Sequence, residues 1–313
     1  MLSLWASAPN QRTSASIPAT TISALGALAF VLDTTAPVTT VVLVNDTGTS
    51  NADRFTSSAV ITGSGDAGSV VTIRKGTTVL GTTTANGKGQ WIYSPVGLSD
   101  GAISLTATET DAAGNSATAR IAITLDTIAP KPAAKIITGL TGGRITLAGV
   151  SEANSLVTVV DTTSNASIVV GTATTASNGV WSLTSQAAVD TSKIHTYTTS
   201  ATDLAGNFSA MPGCFILADT GNDILKGSVG VSDVFAFMSF KGTDVINGFE
   251  ASSVVGANHD YINFSGRGIT SFGQVQSMMS GTTSTIINIG SGKTITVANI
   301  APSLFTATDF RYS

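Results

Sequence analysis

Two near-copies of one five-residue run, Asp33-Thr34-Thr35-Ala36-Pro37 and Asp126-Thr127-Ile128-Ala129-Pro130, stand 93 residues apart and constrain the fold more than any other feature of the chain. Each follows an alternating apolar stretch, Ala29 to Leu32 and Ile121 to Leu125. Each ends in a proline, which fixes φ and holds the preceding alanine extended. That pattern is a strand leaving one domain and a short, stiff connector entering the next. Further matches keep the same order. Asp111-Ala112-Ala113-Gly114-Asn115 recurs as Asp203-Leu204-Ala205-Gly206-Asn207 at an offset of 92, and Gly89-Gln90-Trp91 as Gly179-Val180-Trp181 at 90. The segment from Asp66 to Ile73 recurs from Glu152 to Val159 at 86. Offsets that drift while order is kept are what loop-length differences between two copies of one fold produce.

Two repeats of about 93 residues in a chain of 313 leave a C-terminal third of different texture. β-branched residues set between Gly, Asn and Asp, with few charged residues, predict short strands and turns, so the chain is expected to be all-β. Within the first repeat seven strands are expected, near 38–44, 59–63, 69–74, 77–83, 90–94, 102–109 and 117–125. Alternation in Ile103/Leu105/Ala107 and Val71/Ile73 sends one face of each strand into a core shared by two sheets, with Trp91 and Trp181 as its large anchors.

A formal charge of −4 with scattered Lys and Arg gives no basic stripe, which argues against nucleic acid as a partner. No apolar run approaches the roughly 18 residues of a spanning helix, so no membrane span is expected. Cys214, the one cysteine, cannot form an intramolecular disulfide, and its run Cys214-Phe215-Ile216-Leu217 reads as a buried structural thiol. The stretch Ser23 to Asp33 aligns with Ser116 to Asp126, so residues 1–32 read as the remnant of a preceding repeat or an unstructured N-terminus. The apolar run after Arg12 has the outline of a signal peptide, but its n-region is long, polar and barely charged.

The four motifs in order, twice, resemble bacterial immunoglobulin-like repeats of large surface adhesins and biofilm-associated proteins. They are the Asp-Thr-x-Ala-Pro connector, the acidic loop and Val-Thr strand from Asp66 or Glu152, the Gly-x-Trp strand and the Asp-x-Ala-Gly-Asn turn. The resemblance covers about Asp33 to Leu217 and implies tandem Ig-like β-sandwiches over 33–125 and 126–218, acting as spacers, with acidic residues at the joints implicated in binding Ca²⁺. A hard cation needs several carboxylate and carbonyl oxygens, which loops at one end of a sandwich can converge. Asp66, Asp111 and Asp126 are expected at one joint, and Glu152, Asp203 and Asp219 at the next. The same Asp-x-x-Gly-Asn spacing also makes a turn held by an Asx hydrogen bond, so each carboxylate has two readings.

After Asp219, the runs Gly221-Asn222-Asp223-Ile224-Leu225-Lys226-Gly227 and Gly230-Val231-Ser232-Asp233-Val234-Phe235 approach the glycine-rich nonapeptide of calcium-binding β-rolls, in degenerate form. With Gly242-Thr243-Asp244-Val245-Ile246-Asn247-Gly248 and His259-Asp260-Tyr261-Ile262-Asn263-Phe264, residues 219–313 resemble the C-terminal domain of type I secretion substrates, shared with serralysin-type proteases and repeats-in-toxin proteins. The resemblance implies a small β-roll-like domain, calcium at Asp223, Asp233 and Asp244, a type I exporter as partner and an extracellular or cell-surface location. A short helix is expected at 271–279, with Phe272, Val275 and Met279 on one face.

A protease is not expected. Only His195 and His259 exist, His-Glu-x-x-His is absent, and no Gly-x-Ser-x-Gly or phosphate loop occurs. The reading is a non-enzymatic, secreted or surface-bound calcium-binding protein. One rival is an adhesive module contacting carbohydrate, a host surface or matrix through Trp5, Tyr93 or loops; buried Trp91 and Trp181 would favour a spacer. The other is the non-catalytic end of a larger secreted hydrolase.

Overall fold

The computed structural model describes residues 32–164, 167–237 and 241–312. The chain divides into two compact units, 1–35 and 36–313. In the first, the Thr35 amide donates to Asp33 Oδ1 at 3.0 Å. The expectation for residues 1–31, and the Trp5 contact, lie outside the described residues.

In the second unit, the first repeat forms β1 (Val42–Leu43), β2 (Phe55–Thr56), β3 (Ile61–Ser64), β4 (Val70–Lys75), β5 (Thr78–Thr84), β6 (Gln90–Tyr93), β7 (Gly101–Thr110) and β8 (Ser116–Leu125). Two sheets, β1-β3-β6 and β2-β8-β7-β4-β5, face each other. Alternate residues Val71, Ile73, Ile103, Leu105, Ala107, Ile121 and Ile123 meet Ile61 and Trp91 in one core, as the period-two pattern requires. The seven expected strands are present, and β2 is an addition. It lies parallel to the end of β8, where the Thr124 and Asp126 amides donate to the Arg54 and Thr56 carbonyls.

The second repeat forms β9 (Ala133–Thr141), β10 (Arg144–Val150), β11 (Leu156–Asp161), β12 (Ile168–Thr174), β13 (Val180–Thr184), β14 (His195–Thr202), β15 (Phe208–Ala210) and β16 (Phe215–Ala218). Its core gathers Ile145, Leu147, Val157, Val159, Trp181, Tyr197 and Ala201. The drifting offsets now have physical causes. Leu43 pairs with Ile61 across a loop that contains β2, whereas Ile137 pairs with Leu147 across a hairpin turned by Gly142 and Gly143, which is eight residues shorter. Both glycines have φ near +70°, the conformation a tight turn demands. The loop between β11 and β12 then returns four residues.

The C-terminal third winds as a coil of two layers whose strands pair in parallel, except within 279–297, where successive strands run antiparallel. β17 (Ile224–Lys226), β18 (Val234–Phe237), β19 (Thr243–Asn247) and β20 (Tyr261–Asn263) alternate between the layers. α1 (Ser252–Val255), α2 (Phe272–Met278), β21 (Met279–Ser280), β22 (Thr285–Gly290), β23 (Lys293–Val297) and β24 (Phe310–Arg311) complete it. One layer reads β17-β19-β23-β22-β21. The other is continuous with the second sandwich, in the order β12-β11-β14-β16-β18-β20-β24. In α2 Val275 is buried, and Phe272, Met278 and Met279 pack partly against the same core. The boundary read at 218/219 therefore falls at the end of a strand that serves both sides. The fold is all-β and Ig-like, with helix confined to short segments.

Candidate metal centre

Asp126, Glu152 and Asp203 converge where the connector enters the second sandwich, each offering a carboxylate oxygen within 4.8 Å of the others. Three elements place them. Asp126 directly follows β8, Glu152 sits in the turn between β10 and β11, and Asp203 opens the turn between β14 and β15. Asp126 is tied to both sandwiches through its backbone: its amide donates to the Thr56 carbonyl at 3.0 Å, and its carbonyl accepts from Asn207 Nδ2 at 2.8 Å. Asp203 is buried, with Oδ1 accepting from the Asn207 amide (2.9 Å) and Oδ2 from Asn207 Nδ2 (2.8 Å). Among the described residues no Lys or Arg pairs with any of the three. Desolvation by its neighbours, then the charges of Asp126 and Asp203, pushes the carboxyl of the exposed Glu152 above the usual carboxylate range. This donor set, all hard oxygen with no counter-charge, suits a divalent cation that takes six to eight oxygens.

This grouping corrects the sequence-based one. Asp111 cannot join Asp126, because the two lie at opposite ends of the ten-residue strand β8, about 30 Å apart at 3.3 Å per residue. Asp111 instead braces its own turn, with Oδ1 accepting from the Asn115 amide and Oδ2 from Asn115 Nδ2. Those hydrogen bonds hold its carboxyl low, against a smaller opposing effect of desolvation. Asp66 is exposed at the same end as Asp111. Asp219 is likewise separated from Asp203 and Glu152, since it follows β16. Strand length was the signal that could have assigned Asp126 to the repeat it precedes rather than to the one it ends.

In the coil Asp219, Asp223 and Asp244 come into electrostatic contact, and burial, then Asp219 and Asp244, pushes the Asp223 carboxyl up to about 6. Asp244 is raised by burial first, and its Oδ1 accepts from the Asp223 amide at 3.0 Å. Asp223 Oδ2 is buried with no hydrogen-bond partner. Asp233 behaves differently: Oδ1 accepts from the Cys214 amide (2.8 Å) and thiol (3.2 Å), and Oδ2 from the Ser228 amide (2.6 Å). It is a brace between turns of the coil.

Three carboxylates escaped sequence reasoning. Asp260 repeats the Asp233 role one coil later, accepting from the Asp233 amide (2.8 Å) and the Glu250 amide (2.9 Å), and Asp309 accepts from the Ser252 amide. The signal was an Asp immediately before three parallel strands of one layer, at Asp233-Val234, Asp260-Tyr261 and Asp309-Phe310. Glu109, fully buried in β7, accepts from the Asp66 amide and the Thr39 hydroxyl. His195 is paired through Nδ1 with Asp161 at 2.7 Å and through Nε2 with the Asp190 carbonyl at 3.0 Å, so both ring nitrogens are engaged. Burial and the Asp233 charge raise the Cys214 thiol well above its ordinary value, consistent with an unreactive thiol.

No curated protein matches this chain in sequence. Among solved structures, similarity is found to a tetra-tandem repeat in the extending region of a large adhesion protein, at 25% identity over 57% of this chain and 48% of that one, with a TM-score of 0.26. The BSP domain of a biofilm-associated protein is 20% identical over 51% of this chain and 27% of that one, TM-score 0.23. A 1.5-MDa bacterial ice-binding adhesin is 20% identical over 56% of this chain and 62% of that one, TM-score 0.26. In each case less than two thirds of the other chain is spanned. Residues 33–127, the first sandwich with both its connectors, match the family described as the bacterial Ig-like domain.

Proposed function

We propose that this chain is a non-catalytic, calcium-binding spacer segment of a secreted or cell-surface bacterial protein. The observation that carries the reading is the convergence of Asp126, Glu152 and Asp203, without a counter-charge, on the residue that links the two sandwiches. Calcium there would offset two of the three carboxylate charges and fix the connector against the second sandwich. Its binding to the native state alone would add about 3 kcal/mol at 100 times Kd. Trp91 and Trp181, 3% and 1% exposed, favour a spacer over a tryptophan-lined adhesive platform for carbohydrate or matrix. The engaged ring nitrogens of His195 likewise favour a non-catalytic segment, whether alone or as the end of a larger secreted hydrolase.

Calorimetric titration of Ca²⁺ into the full chain and into the D126N/E152Q/D203N variant tests the joint. The variant is expected to lose one binding event and the calcium-dependent rise in melting temperature of the second sandwich. Unchanged stoichiometry and affinity would discard the joint site.

The coil supports the finer reading of a type I export substrate. Its two layers, with the buried Asp223 Oδ2 lacking a hydrogen-bond partner and the Asp223 carboxyl interacting with the charges of Asp219 and Asp244, have the character of a degenerate calcium-binding β-roll. Co-expression with a type I exporter, with and without residues 219–313, should show export only of the longer chain. Equal retention of both would remove this reading and leave the joint untouched.

A further inference from the structure

We infer that the second sandwich and the C-terminal coil are one cooperative unit, the coil serving as the lateral closure of the sandwich, while the first sandwich is a separate unit. All eight residues of β16 and β18 are buried, as strands covered on both faces must be. Their faces divide strictly. Phe215, Leu217, Val234 and Ala236 enter the core of Trp181 and Leu147, and Ile216, Ala218, Phe235 and Phe237 enter the core of the coil. The register, Phe215 with Val234 and Ile216 with Phe235, keeps each face continuous across the pair, and Tyr261 extends the sandwich-facing side. Removing the coil would strip one wall from the sandwich core and leave β16 as an open sheet edge.

The first sandwich meets the same problem locally. Its edge at β8 is covered by its own β2, and among the described residues its core draws on residues 41–125. The second sandwich has the short Gly142-Gly143 hairpin where that covering loop would be, so β18 takes its place, in the same parallel sense. The backbones approach too closely for a side chain: a Cβ on Gly213 would lie 1.8 Å from the Ser232 carbonyl. The inference does not rest on the export reading. If that reading holds, a coil kept unfolded for export keeps the second sandwich unfolded with it.

Native-state hydrogen exchange on the full chain, read peptide by peptide, decides the point. Phe235→Leu loosens only the coil-facing side of β18. It is expected to accelerate exchange in β11 and β14 by the same factor as in β19 and β20, about tenfold, and to leave β4 and β7 unchanged. The milder Ile216→Val should do the same to a smaller degree if the first variant folds poorly. Leu105→Ala, in the first core, should accelerate β4 and β7 only. Acceleration confined to the coil in both coil variants, or spread over the whole chain by Leu105→Ala, would overturn the inference.

Discussion

A single pair of residues shows how the two repeats solve one packing problem differently. In the first, Glu109 is buried and a Cβ on Gly65 would come within 1.8 Å of its carboxylate. In the second, the corresponding positions are Ser151 and Ala201, small beside small. Gly65→Ser alone should therefore destabilise the first sandwich by about 2 kcal/mol through overpacking, and Glu109→Ala by a similar amount, because the Asp66 amide and Thr39 hydroxyl lose their acceptor. Together the two changes should cost clearly less than their sum, which a denaturant double-mutant cycle would read; simple additivity would refute the coupling. Asp260 carries a second prediction. Burial, opposed by two amide donors, pushes its carboxyl up to about 7, above its unfolded value near 3.9, so its contribution to stability is complete below about pH 4 and fades as pH rises through 7. Asp223, raised to about 6, acts in the same direction. With chelator present, the melting temperature of the unit formed by the second sandwich and the coil should fall by about 5 °C between pH 5.5 and pH 8, and Asp260→Asn should flatten the slope. An equal melting temperature at both pH values in the unaltered chain would contradict this assignment.

Strands whose alternation was clear were legible element by element, from Val71/Ile73 to Ile103/Leu105/Ala107, because a half-buried strand writes its period into its side chains. β2 was not, since a two-residue strand such as Phe55–Thr56 has no period and is held by backbone bonds to β8. The shared role of β16 was also hidden. Its run Phe215-Ile216-Leu217-Ala218 is apolar at every position, as a strand buried on both faces is, but a run of four gives no sign of what covers the second face. Of the candidate centre, the residue types were legible and their grouping was not, because grouping depends on which end of each strand a loop occupies. The covering role of β2 is testable as an element. Replacing the segment between Leu43 and Ile61 by the shorter Gly-Gly hairpin of the second repeat should expose the edge of β8. The variant is expected to associate with rising concentration in light scattering, where the parent stays unchanged. A variant that remains monomeric would mean that β8 needs no cover.

At the scale of the whole chain, the joint between the sandwiches has, on the proposed calcium reading, two devices that can be separated. One is the acidic centre on Asp126. The other is backbone contact: Gly48, at φ +95°, and Gly206, at φ +85°, approach so closely that a Cβ on Gly48 would lie 2.1 Å from the Leu204 carbonyl, and the Thr47 hydroxyl donates to the Ala205 carbonyl. A side chain at Gly48 meets both a left-handed backbone and a backbone obstacle that cannot swing aside. Gly48→Ala should therefore part the loops while leaving the carboxylates of Asp126, Glu152 and Asp203 in place. Spin labels at the exposed positions Val79 and Ile168, in a Cys214→Ser background, would report the distribution of distances between the sandwiches. With chelator, the distribution is expected to be narrow for the parent and broad for Gly48→Ala, and calcium should narrow the latter again. Asp126→Asn should make the distribution insensitive to calcium, because it removes a carboxylate from the centre without touching the glycine contact. A Gly48→Ala distribution as narrow as the parent's in chelator would show that the glycines merely touch, and that the connector residues 126–130 alone set the angle between the two sandwiches.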